Sequence, residues 1–386
     1  MSVHRRVFLP LYLPALLLGI PAQAAFLLLP LYVLDRGASA ATAAAVVGAR
    51  GLGMMAMDLP AGLLAARYGE KILMVLAVFF IMLAFAGYGL AENFVWLSCC
   101  AFLNGCGSST FVLGRMSYIA AYCSPAERGR VIAMIAGALR GAALLGPLAG
   151  GVLAHYAGYA VAFGCAALLV LGALACVLAF ARPRAAAARE LAWRVIPGLV
   201  FEYRRVFATA GVAAVSFMLM REARAVLLPL LGASLDLNTQ QIGTIVSASA
   251  VVDIACFYPA GVIMDRYGRR ATAVPSSILF VLTLAAMTLA QGYASLLAVA
   301  LAVGVANGMS TGIVMTLGTD LAPAARRSEF LGVWGLLTDA GTAAGPMAIS
   351  ALLAVAPLSI AALGVAALGA LGSFVVYRYV EETLAV

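Results

Sequence analysis

Residues 62–71 read Gly62-Leu-Leu-Ala-Ala-Arg67-Tyr-Gly69-Glu-Lys71, and residues 261–270 read Gly261-Val-Ile-Met-Asp265-Arg266-Tyr-Gly268-Arg269-Arg270. The two stretches stand 199 positions apart (261 − 62). The same shift lays Leu29-Pro30-Leu31 on Leu228-Pro229-Leu230, Pro60-Ala61-Gly62 on Pro259-Ala260-Gly261, and Gly146-Pro147 on Gly345-Pro346. Gly105 meets Gly304 and Arg128 meets Arg327. One offset held from Leu29 to Pro147 without net insertion marks a unit repeated in parallel along the chain.

The medium in which that unit folds follows from composition. Of 386 residues, 65% come from the set AVILMFWYC and only 10% are charged, with a mean hydropathy of +1.05. Soluble domains carry about 25% charged residues, so a water-soluble fold is excluded. A helical bilayer crossing needs ~20 apolar residues. Cutting at polar breaks predicts twelve spans, near 8–34, 40–66, 71–91, 94–122, 129–157, 159–181, 206–231, 240–264, 271–291, 293–321, 327–353 and 359–380. The expected architecture is an all-α membrane protein of two pseudo-symmetric six-helix bundles, 1–181 and 206–386, joined by a cytoplasmic linker over 182–205.

The net charge of +8 does not mark a nucleic-acid binder, because the basic residues, all arginine except Lys71, sit in short breaks rather than on one face. One set of breaks, with both termini, holds nearly all of them; the opposite set holds Arg36 alone. The positive-inside rule then places both termini in the cytoplasm. The start, Met1 to Arg6, runs into an apolar span without a small-residue cleavage site, so no cleaved signal is expected. An Ala- and Arg-rich chain with almost no Lys points to a bacterial inner membrane. The seven cysteines lie in apolar segments without a CxxC pair and read as small core hydrophobes. Gly308-Met-Ser310-Thr-Gly312 matches GxSxG, but it lies inside an apolar span, and the only histidines are His4 and His155. A serine without a base is not activated. With no phosphate loop or metal-ligand spacing either, no enzyme, cofactor or metal is expected.

The paired segments at 62–71 and 261–270 resemble the GxLaDRxGRK signature of the major facilitator superfamily, with Ala66 where the first copy would carry Asp. The resemblance implies a cytoplasmic gate formed by Gly62, Arg67 and Gly69 and by Gly261, Asp265, Arg266, Gly268 and Arg269, with Asp58 supporting the first copy. Gly146-Pro147-Leu-Ala-Gly150-Gly151 looks like the GPxxGG motif of the superfamily's drug:proton antiporters. Small residues there allow close helix approach, and Pro147 bends its helix. The span-4 arginine of that branch is missing, Ala101 standing near its place.

Ionisable groups at membrane depth cost about 2.5–3.5 kcal/mol each on insertion scales, so each needs a partner or a task. Arg140 is eleven residues into span 5 and Asp253 eleven from the end of span 8. At 1.5 Å per residue both lie ~16 Å deep. The resembled fold sets spans 5 and 8, and spans 2 and 11, against each other. Two bridges are therefore expected, Arg140–Asp253 and Arg50–Asp339, each either fixing the packing or breaking when its carboxylate takes a proton. Glu222, flanked by Arg221 and Arg224, is either a further proton carrier facing the cavity with Arg221, or simply neutralises Arg221 while Arg224 snorkels outward. Gln23, Asn104, Arg115, Arg221, Tyr258, Asn307 and Trp334 are candidates to line a substrate cavity.

The expectation is a monomeric secondary transporter working by alternating access, exporting a small organic molecule in exchange for protons. The alternatives are an organic-anion or sugar-like symporter or uniporter, and a non-transporting receptor or assembly partner.

Overall fold

The computed structural model describes residues 8–182, 196–323 and 326–383, and all regular elements among them are helical. Twelve helices are long and apolar enough to cross a bilayer. Spans 1 to 6 are Leu9–Asp35, Ala40–Ala65, Arg67–Gly89, Phe94–Tyr122, Glu127–Ala157 and Tyr159–Phe180. Spans 7 to 12 are Arg204–Ser234, Thr239–Tyr267, Arg270–Leu289, Tyr293–Leu321, Glu329–Leu353 and Leu358–Tyr379. Hydrocarbon offers backbone groups no water, and a helix satisfies them within its own segment.

Side-chain caps begin several spans. The Ser39 hydroxyl and the Asn93 and Asn238 amide oxygens accept the N–H of Thr42, Trp96 and Gln241 at 3.2, 2.8 and 2.9 Å. Gly69 and Gly268, the turn glycines of the two paired segments, adopt φ of 79° and 98°, a region that favours glycine. The expected linker is not a bare connection: Ile196–Glu202 is helical, and Glu202 pairs with Arg326 at 3.0 Å. Its residues 183–195, with Arg184, Arg189 and Arg194, lie outside the described residues, as do Arg5 and Arg6.

The 199-residue repeat reappears as a repeat of contacts. A Cβ on Gly105 would run into the carbonyl oxygen of Arg50, and one on Gly304 into that of Ser249, its offset partner. A Cβ on Gly146 would meet the Ile20 carbonyl and Gln23; one on Gly345 would meet the Leu219 carbonyl and Glu222, again 199 residues on. Equivalent glycines thus bring span 4 against span 2 and span 5 against span 1 in the first half, and span 10 against span 8 and span 11 against span 7 in the second.

The halves meet along spans 2 and 11 and along spans 5 and 8, and only over part of their length. Away from the termini the contact is close. Ser350 Oγ donates to the Ala41 carbonyl at 2.9 Å, Gly48 abuts Met347 and Gly51 abuts Ala343. Ser247 Oγ donates to the Leu144 carbonyl at 2.9 Å, and Gly151 and Gly243 bring the span 5 and span 8 backbones together. Towards the termini the same faces separate. Gly137, Gly261, Gly332 and Gly335 continue the rows of Leu144, Asp253 and Asp339, and a Cβ on any of them would meet nothing within 4 Å. The cleft between the halves is closed at one end and open at the end that carries both termini.

Candidate functional site

Near the closed end of that cleft lies a cavity of about 180 Å³ whose polar lining is Gln23, Arg221, Glu222, Arg224, Ser249, Asp253 and Asn307. Drug-sized pockets run to ~300–1,000 Å³, so this one suits a small ligand. Span 1 contributes Gln23 and Phe26, span 5 contributes Pro147, and span 7 supplies three of the four charges, Asp253 of span 8 being the fourth. Helical rotation of 100° per residue puts Arg221 and Arg224 within 60° of each other, on one face.

Arg140 of span 5 reaches Asp253 of span 8 with 3.4 Å between Nη1 and Oδ1, a bridge from one half to the other. The guanidinium also covers the Phe257 ring, 3.7 Å from its centroid. Asn307 Nδ2 donates to the other Asp253 oxygen at 2.7 Å, which leaves Asn307 Oδ1 enclosed and unpartnered at the cavity wall.

Span 7 departs from expectation. Arg224 does not snorkel away: it lines the cavity and makes no hydrogen bond or ion pair with any described residue, and its Nε is enclosed. Arg221 reaches only the Ser310 hydroxyl at 3.4 Å and the Met218 sulfur at 4.0 Å. Glu222 neutralises neither through a direct contact, since no ion pair joins it to a described residue. Arg224 was not among the expected cavity residues; its three-residue spacing from Arg221 links the two to one face but does not say which way that face turns.

The second expected bridge does not form. Arg50 lies over the Phe26 ring at 4.7 Å, while Asp339 faces Asp58, carboxyl to carboxyl, across the contact of spans 2 and 11. Asp58 accepts a hydrogen bond from Ser109 Oγ, so it belongs to the interface of spans 2, 4 and 11 rather than to the Gly69 turn. Four residues expected in the cavity are elsewhere. Tyr258 is 78% exposed and does not line the cavity, and Trp334 is 5% exposed, with Nε1 donating to the Val314 carbonyl at 3.1 Å. Arg115 is buried in span 4 beside Phe111, its Nε without a partner. Asn104 borders a separate void of about 10 Å³ with Arg50 and Tyr88.

The paired turn segments bind within their own halves. Arg269 contacts Asp320 at 2.8 Å and Asp265 at 3.6 Å, and Glu382 accepts the N–H groups of Arg269 and Arg270 at 2.8 and 3.1 Å. Lys71 donates to the Leu178 carbonyl at 2.8 Å. Arg67 lies over its neighbour Tyr68, and Arg266 over Tyr267. In the glycine-proline segment, Gly146 and Gly150 admit span 1 and Gly151 admits span 8, so it serves both contacts at once.

Twelve apolar helices in two repeated halves, with a charged cavity between them open at one end, define a multi-pass membrane transporter. The sequence profile of the Major Facilitator Superfamily matches residues 11–221 and 210–385, and the chain belongs to that family, whose members are transporters that work without a cofactor. No curated protein matches the chain. Its fold is similar to that of a POT family transporter crystallised with a thioalcohol-conjugated peptide, with a TM-score of 0.80 at 12% identity over 95% of this chain and 93% of that one. A POT family transporter in complex with 5-aminolevulinic acid gives 0.78 at 12% identity, covering 95% and 93%. The peptide transporter POT in complex with sulfate gives 0.77 at 14% identity, covering 96% and 93%.

Proposed function

We propose that the chain is a proton-coupled secondary transporter that moves a small organic molecule by alternating access, with the central cavity as the substrate site. The observation that carries this reading is the Arg140–Asp253 bridge. It joins the two halves at the cavity wall, and its carboxylate is within reach of the cavity it lines. A proton on Asp253 cancels the attraction that holds span 8 to Arg140 and lets the halves separate at the closed end. With both termini in the cytoplasm, as the arginine distribution requires, the described state opens inward and the membrane is a bacterial inner membrane.

Direction depends on how substrate and proton affect each other. Export in exchange for protons is supported by the Gly146-Pro147-Gly150-Gly151 face, which resembles that of drug:proton antiporters and packs on span 1 and span 8. Cotransport with protons is the second reading, supported by the unpaired guanidinium groups in the cavity, since a bound anion and a proton attract. Purified chain in liposomes under an imposed pH gradient tests the proposal. Accumulation or depletion of an internal substrate should follow the gradient and collapse with a protonophore. Flux indifferent to pH would refute proton coupling.

A further inference from the structure

We propose that Arg221 and Arg224 form an oxyanion-binding subsite, so that the transported molecule is a small organic acid carrying a carboxylate, sulfonate or phosphonate group. This rests on the central cavity being the substrate site. Of the deep arginines elsewhere, Arg140 has Asp253 and Phe257 and Arg50 has Phe26, while Arg115 is enclosed in span 4 away from the cavity. Arg221 and Arg224 have none of comparable strength, although both face a cavity enclosed by five spans. Leaving a guanidinium unpaired at membrane depth is costly. Two such groups one helical turn apart on one face repel each other, and a bound oxyanion relieves both costs. Guanidinium donors suit this task because their planar fork matches a carboxylate or related group in bidentate geometry.

The acids do not substitute for that ligand. Asp253 is held by Arg140 and by Asn307. Glu222 follows Arg221 directly, turned 100° from it around the helix, and lies where Gly345 lets span 11 approach. The cavity therefore sets two guanidinium groups on one face of span 7 against two carboxylates, Glu222 on the adjoining face of span 7 and Asp253 on span 8. An acid that also carries a hydroxyl or amino group is accommodated with its oxyanion on the guanidinium groups and its donor on a carboxylate. The volume of about 180 Å³ limits the occupant to a small molecule.

Binding to the detergent-purified full chain tests the subsite independently of coupling. Lactate, benzoate and methanesulfonate are titrated against thermal stability, with choline, benzylamine and phosphatidylglycerol as contrasting probes. The organic anions should raise Tm saturably, and Arg221→Gln or Arg224→Gln should weaken the apparent affinity at least tenfold, with Arg224→Lys less impaired than Arg224→Gln. If a glutamine variant does not fold, the wild-type chain still answers: a bound anion should slow modification of Arg221 and Arg224 by phenylglyoxal, mapped by mass spectrometry. Stabilisation by the amines alone, by phosphatidylglycerol alone, or by anions that protect neither arginine would overturn the subsite. Anion binding without pH-driven flux would leave the subsite standing and remove proton coupling. PH-driven flux of a cation without anion binding would do the reverse.

Discussion

Arg140 and Asp253, 113 residues apart in sequence, meet at 3.4 Å and tie span 5 of one half to span 8 of the other. Their side chains are 18% and 14% exposed, so the pair is partly screened by cavity water and lies between the surface and fully buried limits. Asp253→Asn keeps the shape and a hydrogen-bonding group for Asn307 but abandons the charge on Arg140. It should lower stability by about 1–2 kcal/mol, read as a fall in Tm of the purified chain. Transport driven by a pH gradient should be lost while gradient-independent exchange of substrate persists. Retention of pH-driven flux at the wild-type rate would exclude Asp253 as the coupling group.

The facing carboxyl groups of Asp58 and Asp339 repel when both are ionised, and sharing one proton removes the repulsion. Asp339→Asn replaces that like-charge contact with an amide able to donate to Asp58 and should raise Tm. A Tm equal to or below that of wild type would show that the pair carries no such strain.

Glycine substitutions separate closed from open faces. At Gly146 an added methyl would lie 2.7 Å from the Ile20 carbonyl, whereas at Gly137 it would meet nothing within 4 Å. Gly146→Ala should destabilise by about 1–3 kcal/mol through overpacking. Gly137→Ala should leave Tm unchanged or slightly raised, because alanine is the better helix former. Equal effects at both positions would show that the cleft is not open beside Gly137.

Thiol labelling tests the open end and the orientation together. In a background with the native cysteines replaced, Gly137→Cys and Gly335→Cys should react with a membrane-impermeant maleimide in inside-out vesicles. Gly48→Cys, which faces Met347 in the closed contact, should react slowly from either side. Faster labelling of Gly137→Cys in right-side-out vesicles would invert the assigned topology.

Position along the helix axis was legible in the sequence. The twelve spans, the repeat and the matching levels of Arg140 and Asp253 were all readable, because rise per residue is fixed at 1.5 Å and a counted position converts directly into distance along the helix. The same counting placed Arg50 and Asp339 at compatible depths, yet they do not pair: Arg50 turns towards Phe26 and Asp339 towards Asp58. Trp334 and Tyr258 also lie at compatible positions along their helices, and one packs in the core while the other is exposed away from the cavity lining.

What separates these cases is rotation about the helix axis. In water, an apolar stripe against a polar face fixes that angle in the sequence. Spans that are apolar nearly all round carry little such pattern, and association in lipid depends on close packing of small residues instead. The sequence alone therefore determined the number of crossings, their order in two repeated halves and the depth of each charge. Only the tertiary contacts, made where Gly146 admits Gln23 and Gly345 admits Glu222, decided which charges share the cavity. They turned Arg224 inward beside Arg221, where helix rotation could not be read from composition.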